Sequence, residues 1–301
     1  MSRAGEVCAV LISYHPDEEL PARVARVLRE AGALVIVDNG SDEAALAMLR
    51  ELARDPRIAL IANGTNLGVA QALNLGIARA RAMGYRWVLL LDQDSVLDEG
   101  MLAAMIALRA AYPAAERLAV MGAGFRDVNK RTEAEFPCQG ERSSRDSSPW
   151  EEVESVITSG SLISLATHDA IGPFRTELFI DYVDSEYCFR ARSLGYRVIK
   201  TRRALMSHAI GAATRHRGIG VHKWTSNHSP DRRYYIARND TVLLREYSGH
   251  RHGLWALKSF GRRLRDCRRV LLYERAKRAK LAAILEGWWH GVRGRLGPRP
   301  P

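Results

Sequence analysis

Apolar and polar positions alternate between two periods along the first hundred residues. Residues 7–13 form a short apolar run that ends on polar side chains, and residues 34–37, 58–61 and 88–91 repeat it. Runs of this length, closed by turn residues, read as strands. Between them the apolar positions take helical spacing. Leu20, Val24, Val27 and Leu28 share one face of a helix over 20–31, which Gly32 stops. Residues 44–52, 70–83 and 101–111 carry the same helical reading. The order βαβαβαβα predicts a parallel sheet with covering helices.

Beyond residue 126 the chain turns polar as far as Trp150, with a Ser143-Ser144-Arg145-Asp146-Ser147-Ser148-Pro149 stretch that reads as a surface loop or insertion. Strand signals return at 153–158 and 162–165. A helix is predicted over 185–194, ending at Gly195, then a strand over 198–201. From Pro230 to about His290 the chain reads as helical, and there is no internal repeat.

Ligands of such sheets bind beyond the carboxyl ends of the strands. Those ends are Ser13-Tyr14-His15, Asp38-Asn39, Asn63-Gly64-Thr65-Asn66 and Asp92-Gln93-Asp94. No GxGxxG follows the first strand and no GxxxxGK[ST] occurs, so neither phosphate loop is present. Asp92 and Asp94, one residue apart at a strand end, can divide their work. One can reach a ribose or base while the other takes a divalent cation, a hard ion that prefers oxygen ligands. Such acids also serve as helix and turn caps.

Four strings together resemble the nucleotide-sugar half of family 2 glycosyltransferases: Val10 to Ser13, Asp38-Asn39-Gly40-Ser41, Asn66-Leu67-Gly68-Val69-Ala70 and Asp92-Gln93-Asp94-Ser95. The segment Phe179-Ile180-Asp181-Tyr182-Val183-Asp184-Ser185-Glu186-Tyr187-Cys188-Phe189-Arg190, with Gly195-Tyr196, resembles the acceptor side of bacterial rhamnosyltransferases. His228-Ser229-Pro230, then Arg232-Arg233-Tyr234-Tyr235 and Arg238-Asn239, is similar to a later segment of that subgroup. The resemblance spans residues 7–239. It implies the GT-A fold, an α/β, parallel-rich, Rossmann-like sheet with covering helices. The catalytic domain would be 1–230, with a nucleotide-sugar half of about 1–125 and an acceptor half of about 151–230. Residues 231–301 would be a basic helical extension.

The resemblance also implies roles. Ser13 and Tyr14 would line the nucleotide pocket, and Asp38 would meet the base or ribose. Asn66 and Gly68 would let the backbone approach the nucleotide. Asp92 and Gln93 would face the ribose and diphosphate, and Asp94, with Asp92, would hold Mg²⁺ or Mn²⁺. His208 would complete the metal or diphosphate shell, or serve the fold alone. Asp184 would be the general base of an inverting transfer. The wider family has Glu-Asp where this chain has Val183-Asp184, a difference that touches the acceptor contacts. Asp181 and Glu186 would contact the acceptor or support the base. These acids equally suit the N-terminus of the 185–194 helix. Ser159 and Gly160 would form a loop under the donor sugar, or Gly160 only a bend, and His228, Arg232 and Arg233 would clamp the diphosphate or simply start a solvated helix after Pro230. The implied reaction moves rhamnose from dTDP-rhamnose to a lipid-linked or polysaccharide acceptor, as in O-antigen, capsule or exopolysaccharide synthesis. Another sugar nucleotide is the alternative donor. A nucleotidyltransferase would want a glycine- and lysine-rich loop after the first strand, which Ser13-Tyr14-His15-Pro16-Asp17 does not supply.

Charge separates the tail from the body. The 301 residues carry 45 Lys+Arg and 34 Asp+Glu, a net +11. Residues 241–301 hold 15 basic and 4 acidic side chains, so the whole excess falls there and the first 240 residues carry 30 of each sign. A nucleic-acid binder, which the pI of 9.8 suggests, would not concentrate its charge in this way, and no nucleic-acid partner is expected. Basic residues interleaved with Trp255, Phe260, Leu264, Leu271, Trp288 and Trp289 suit an anionic membrane surface, or a helix packed on the body with a solvated basic face. The apolar run after the polar first six residues is too short for a signal peptide, and no stretch reaches a membrane span. Cys8, Cys138, Cys188 and Cys267 form no CxxC pair, which argues against a zinc module and for a reducing compartment. The expected location is the cytoplasm, peripheral on the inner membrane's cytosolic face.

Overall fold

The computed structural model describes residues 3–127, 148–208, 214–218, 221–225, 227–247 and 253–300. Its first half follows the alternation read from the sequence. Strands β1 (Val7–Ser13), β2 (Ala33–Asp38), β3 (Ile58–Ala62) and β4 (Trp87–Asp92) are linked by helices α1 (Leu20–Glu30), α2 (Glu43–Leu52) and α3 (Val69–Ala82). They pair in parallel in the order β3-β2-β1-β4. β1 is apolar up to Ser13, as suits a strand with both faces covered. Cys8, Val10 and Ile12 enter one core with Leu73 and Ile77 of α3. Val7, Ala9 and Leu11 enter the other with Leu20, Val24 and Val27 of α1.

A short strand β5 (Val96–Leu97) and helix α4 (Met101–Ala111) lead into β6 (Leu118–Asp127). β7 (Trp150–Glu152), β8 (Ser161–Ser164), α5 (Leu165–Ile171), α6 (Val183–Ser193) and β9 (Arg197–His208) follow. β8 joins β4 antiparallel and β6 joins β8 antiparallel, while β9 runs parallel to β6. β5 and β7 both pair with β9, extending the sheet past the parallel half.

Several boundaries differ from the reading of the sequence. The strand expected at 153–158 lies earlier, at β7, and the chain after it runs irregularly behind the end of β4, with Gly160 N–H bonded to Leu90 C=O at 2.8 Å. β6 and α5 carried no expectation. The strand expected over 198–201 continues to His208: the β6 register breaks at Arg202 and Arg203 and resumes at Ala204, so the pairing carries the strand past a polar stretch where hydropathy stops it. A hairpin of β10 (Thr214–Gly218) and β11 (Val221–Thr225) was also unforeseen. Most of the polar insertion, residues 128–147, lies outside the described residues.

The helical C-terminal region divides into α7 (Pro230–Tyr247), α8 (Gly253–Tyr273) and α9 (Lys277–Val292). α9 lies hard against α7: a Cβ on Gly287 would sit 2.3 Å from the Tyr234 carbonyl oxygen, and one on Gly291 2.7 Å from that of Arg238. Buried Glu274 accepts from Arg233 at 2.5 Å and from Lys280 at 2.8 Å, tying α7 to the start of α9. Removing any member of such a buried set would strand a charge.

Candidate active site

The β1 and β2 ends meet in register, Ser13 beside Asp38, and Ile12 pairs with Asp92 on the other side. This edge opens into a cavity of about 580 Å³ lined by Tyr14, Asp92, Gln93, Asp94, Asp181, Asp184 and Arg232, with Ile157, Thr158, Ile180 and Tyr182. Seven of the expected residues thus converge. Gln93 fixes Tyr14 there: its Oε1 accepts from Tyr14 N–H at 2.7 Å and its Nε2 donates to Tyr14 C=O at 3.1 Å. Arg23 Nη1 donates to the Gln93 carbonyl at 3.2 Å, a support that the sequence did not flag.

Ser159 and Gly160 lie behind the carboxylate pair, and neither is on the cavity wall. Ser159 Oγ accepts from Asp92 N–H at 3.3 Å and lies 2.5 Å from Ser95 Oγ. Gly160 has φ +78°, and a Cβ there would fall 2.4 Å from Met206 Sδ. The preceding Ile157 and Thr158 are on the cavity wall. Val96 pairs with Ser207, so the backbone of His208 ends β9 beside the Asp94 turn; its side chain lies outside what is described.

The other wall is the loop before α6. Phe179, Asp181 and Tyr182 have φ of +64°, +62° and +62°. A left-handed non-glycine residue costs about 1–3 kcal/mol and persists only where its surroundings over-determine it. α7 supplies that constraint. Asn239 Nδ2 lies 2.9, 2.8 and 2.8 Å from the carbonyl oxygens of Leu178, Ile180 and Asp181. Arg232 grips the Asp181 carboxylate, with Nη2 3.1 Å from Oδ1. On the donor side, the Phe179 carbonyl accepts from Val69 N–H at 2.7 Å and so caps α3. Gly68 makes room for it, since a Cβ there would be 2.7 Å from that oxygen. Asn66 Oδ1 accepts from Gly68 N–H and from Asn39 Nδ2, each at 2.9 Å. Asn66 and Gly68 therefore serve this junction and do not line the cavity. Asp38 is likewise turned to its own loop, accepting from Gly40 N–H at 3.1 Å, Ser41 N–H at 2.9 Å and Ser41 Oγ, and Ser13 is fully buried behind the edge.

Asp184, second in α6, faces the cavity. Burial pushes its carboxyl up to about 6, and the nearby Asp181 and Asp92 add to the rise, while the Ser185 N–H at 2.7 Å opposes it. Burial also raises Asp181, against the pull of Arg232. A carboxyl near 6 suits proton transfer close to neutral pH.

Three expected residues are engaged elsewhere. Successive helix positions are turned about 100° apart. Glu186, two past Asp184, therefore points into the core, where it pairs with Arg190 at 2.9 Å and accepts from Tyr247 Oη at 3.0 Å. Arg233, one past Arg232, is the buried partner of Glu274. His228 is off the cavity wall, and burial with the adjacent Arg232, Arg233 and Lys280 lowers its imidazole to about 3, so it is neutral.

The donor set also bears on a metal. Asp92 and Asp94 offer hard oxygen ligands, and the described residues contain no group of three side chains that would cage an ion unaided. That fits Mg²⁺ or Mn²⁺ shared between one or two carboxylates and a substrate's phosphates.

Residues 8–159 match the sequence model of glycosyl transferase family 2. The chain is 29% identical over 248 residues to the dTDP-rhamnosyl transferase RfbF of Shigella flexneri, covering 80% of each. Its fold is similar to TarS 1–349 of S. aureus, with a TM-score of 0.57 and 15% identity over 96% of this chain and 81% of that one. It is also similar to the mannosyltransferase PcManGT from Pyrobaculum calidifontis, in complex with GDP-Man and Mn²⁺, with a TM-score of 0.58 and 14% identity over 96% and 88%.

Proposed function

Given that the chain belongs to glycosyltransferase family 2 and has the GT-A fold, we propose that it transfers rhamnose from dTDP-rhamnose to a hydroxyl of a lipid-linked or polysaccharide acceptor. The observation that carries this reading is that Asp92, Asp94 and Asp184 share one cavity. The rhamnosyl relative, aligned over most of both chains, supports the choice of sugar.

In the reaction the acceptor oxygen attacks the anomeric carbon. Asp184 takes its proton, the bond from that carbon to the diphosphate oxygen breaks, and the nucleoside diphosphate leaves, with inversion. Mg²⁺ or Mn²⁺, held by Asp94 and Asp92, would neutralise charge developing on the leaving diphosphate. His208, at the end of β9 beside that turn, remains a candidate ligand. Of the three candidate clamps, Arg232 is the one on the cavity wall. Its planar guanidinium suits a phosphate oxygen pair. Tyr14 and Gln93 lie on the donor side, and Asp181 on the acceptor side.

The test is a panel of dTDP-rhamnose, UDP-GlcNAc and GDP-mannose with Mg²⁺ or Mn²⁺, read as nucleoside diphosphate release. The expected result is turnover of dTDP-rhamnose that EDTA abolishes. Faster turnover of another donor would replace the sugar assigned here, and full activity in EDTA would remove the metal.

We also propose that residues 231–301 hold the enzyme on an anionic membrane surface from the cytosolic side. Leu264, Arg265, Arg268, Leu271 and Leu272 of α8 are all exposed, at the spacing of one helix face. Trp288 and Trp289 of α9 are exposed as well. Among the described residues, no helix is long and apolar enough to cross a membrane. A basic, apolar face lying in the interface is the alternative mode of attachment.

A further inference from the structure

Asn239 sits in α7, outside the cavity, and is completely buried. Its amide orientation is fixed from behind: Arg238 Nε donates to Asn239 Oδ1 at 2.9 Å, which leaves Nδ2 as the group facing the loop. That one nitrogen meets the carbonyls of Leu178, Ile180 and Asp181. Arg238, equally buried, adds donors to Glu177 C=O at 3.2 Å and Leu178 C=O at 2.9 Å. The stretch so gripped holds three left-handed non-glycine residues and runs directly into the first turn of α6, where Asp184 stands.

Positive φ is costly for Phe, Asp and Tyr, and the local bond from Ile180 N–H to Leu178 C=O at 2.8 Å spans Phe179 alone, leaving Asp181 and Tyr182 to be held from outside. The three carbonyls also need donors wherever the loop is buried. Asn239 holds the loop in place and, with its two N–H groups and with Arg238 and Ile180 N–H also donating to Leu178 C=O, meets these carbonyls. The same loop caps α3 through Phe179, so its position sets the span between the donor-side helix and the acceptor-side carboxylate.

We infer that Asn239 is a positioning residue for the transfer, acting on Asp184 through the loop it clamps. The inference rests on the reading of Asp184 as the base. Displacing a reacting group by about 1 Å is enough to lower turnover by roughly 10²-fold. Arg238 backs the same clamp from behind.

The test compares Asn239→Ala and the isosteric Asn239→Asp with wild type in the full chain. The readouts are turnover per folded molecule, donor affinity, the pH–rate profile and amide hydrogen exchange. Expected are a fall in turnover of roughly 10²-fold, donor affinity unchanged, a shifted rising limb of the pH profile, and faster exchange confined to residues near 178–185. Asn239→Asp keeps the volume but turns a donor into an acceptor, so it should fail in the same way even where Asn239→Ala folds poorly. Wild-type turnover per folded molecule in either variant would overturn the inference, whatever the loss of thermal stability. Asp184→Asn, run alongside, separates the two readings. If Asp184→Asn stays active, the assignment of the base fails. If it is inactive while the Asn239 variants turn over normally, the base stands and the positioning role alone falls.

Discussion

At the scale of single residues, the chemistry turns on a carboxyl lifted out of its usual range. Asp184 is raised to about 6 by burial first and by Asp181 and Asp92 second. A base works only when deprotonated, so turnover should rise with pH through about 6 and then level, in a profile recorded with donor and acceptor saturating. The same shift has a stability sign. Between the ordinary carboxyl value and about 6 the folded state binds more protons at this position than the unfolded chain, so its contribution to stability falls as pH rises through that window. Asp184→Asn removes the burden. Its melting temperature should exceed wild type at neutral pH and approach it near pH 4, and the reverse order would contradict the cause assigned to the shift. Asp92 and Asp94 were legible in the sequence because they close an apolar strand, whereas Asp184 was picked out by the resemblance of its segment to the acceptor side of rhamnosyltransferases. Arg232 and Arg233 were not separable by sequence, since both follow Pro230 and only the helix phase sends one to the cavity and the other to Glu274.

At the scale of elements, the joint between α3 and the loop before α6 sets the geometry of the site. The resemblance implied that Asn66 and Gly68 let the backbone approach the nucleotide. In the structure Gly68 admits the Phe179 carbonyl. No sequence signal announces three left-handed residues among Phe179, Asp181 and Tyr182, which is why this loop was legible only as a string of acids before a helix. Two glycines separate conformation from contact. Gly64 and Gly68 both have positive φ, but a Cβ at Gly64 meets nothing within 4 Å. Gly68→Ala should therefore lower stability clearly more than Gly64→Ala, by about 1–3 kcal/mol beyond it if the Phe179 carbonyl is forced aside. Chemical denaturation of the two variants measures the difference, and equal losses would mean that the junction is slack. β6 went unread for a related reason. It follows an apolar helix, and a buried apolar run after another carries no period that marks a change of element.

At the scale of the whole molecule, the charge asymmetry was plain in the sequence, but the way the tail attaches was not. α9 is packed on α7 through Gly287 and Gly291, and α7 holds the site loop through Asn239. Deleting the tail would strip the support from the base as well as the basic face, so surface substitutions are the cleaner probe. Replacing Arg265 and Arg268 by Gln and Leu271 and Leu272 by Ser should weaken sedimentation with anionic vesicles, at about 1 kcal/mol per basic residue near the surface, and leave turnover of a soluble acceptor intact. Unchanged binding, or equal binding to neutral vesicles, would move the membrane contact elsewhere. The two walls of the cavity come from distant stretches of chain, β1 and β4 on one side and the α6 loop with α7 on the other, and the proposed transfer requires both. The most direct measurement is the turnover of dTDP-rhamnose by Asp184→Asn, with donor affinity measured on the same protein. A fall of roughly 10²–10⁴-fold with donor affinity unchanged is expected; turnover near that of wild type would contradict the assignment of Asp184 as the base.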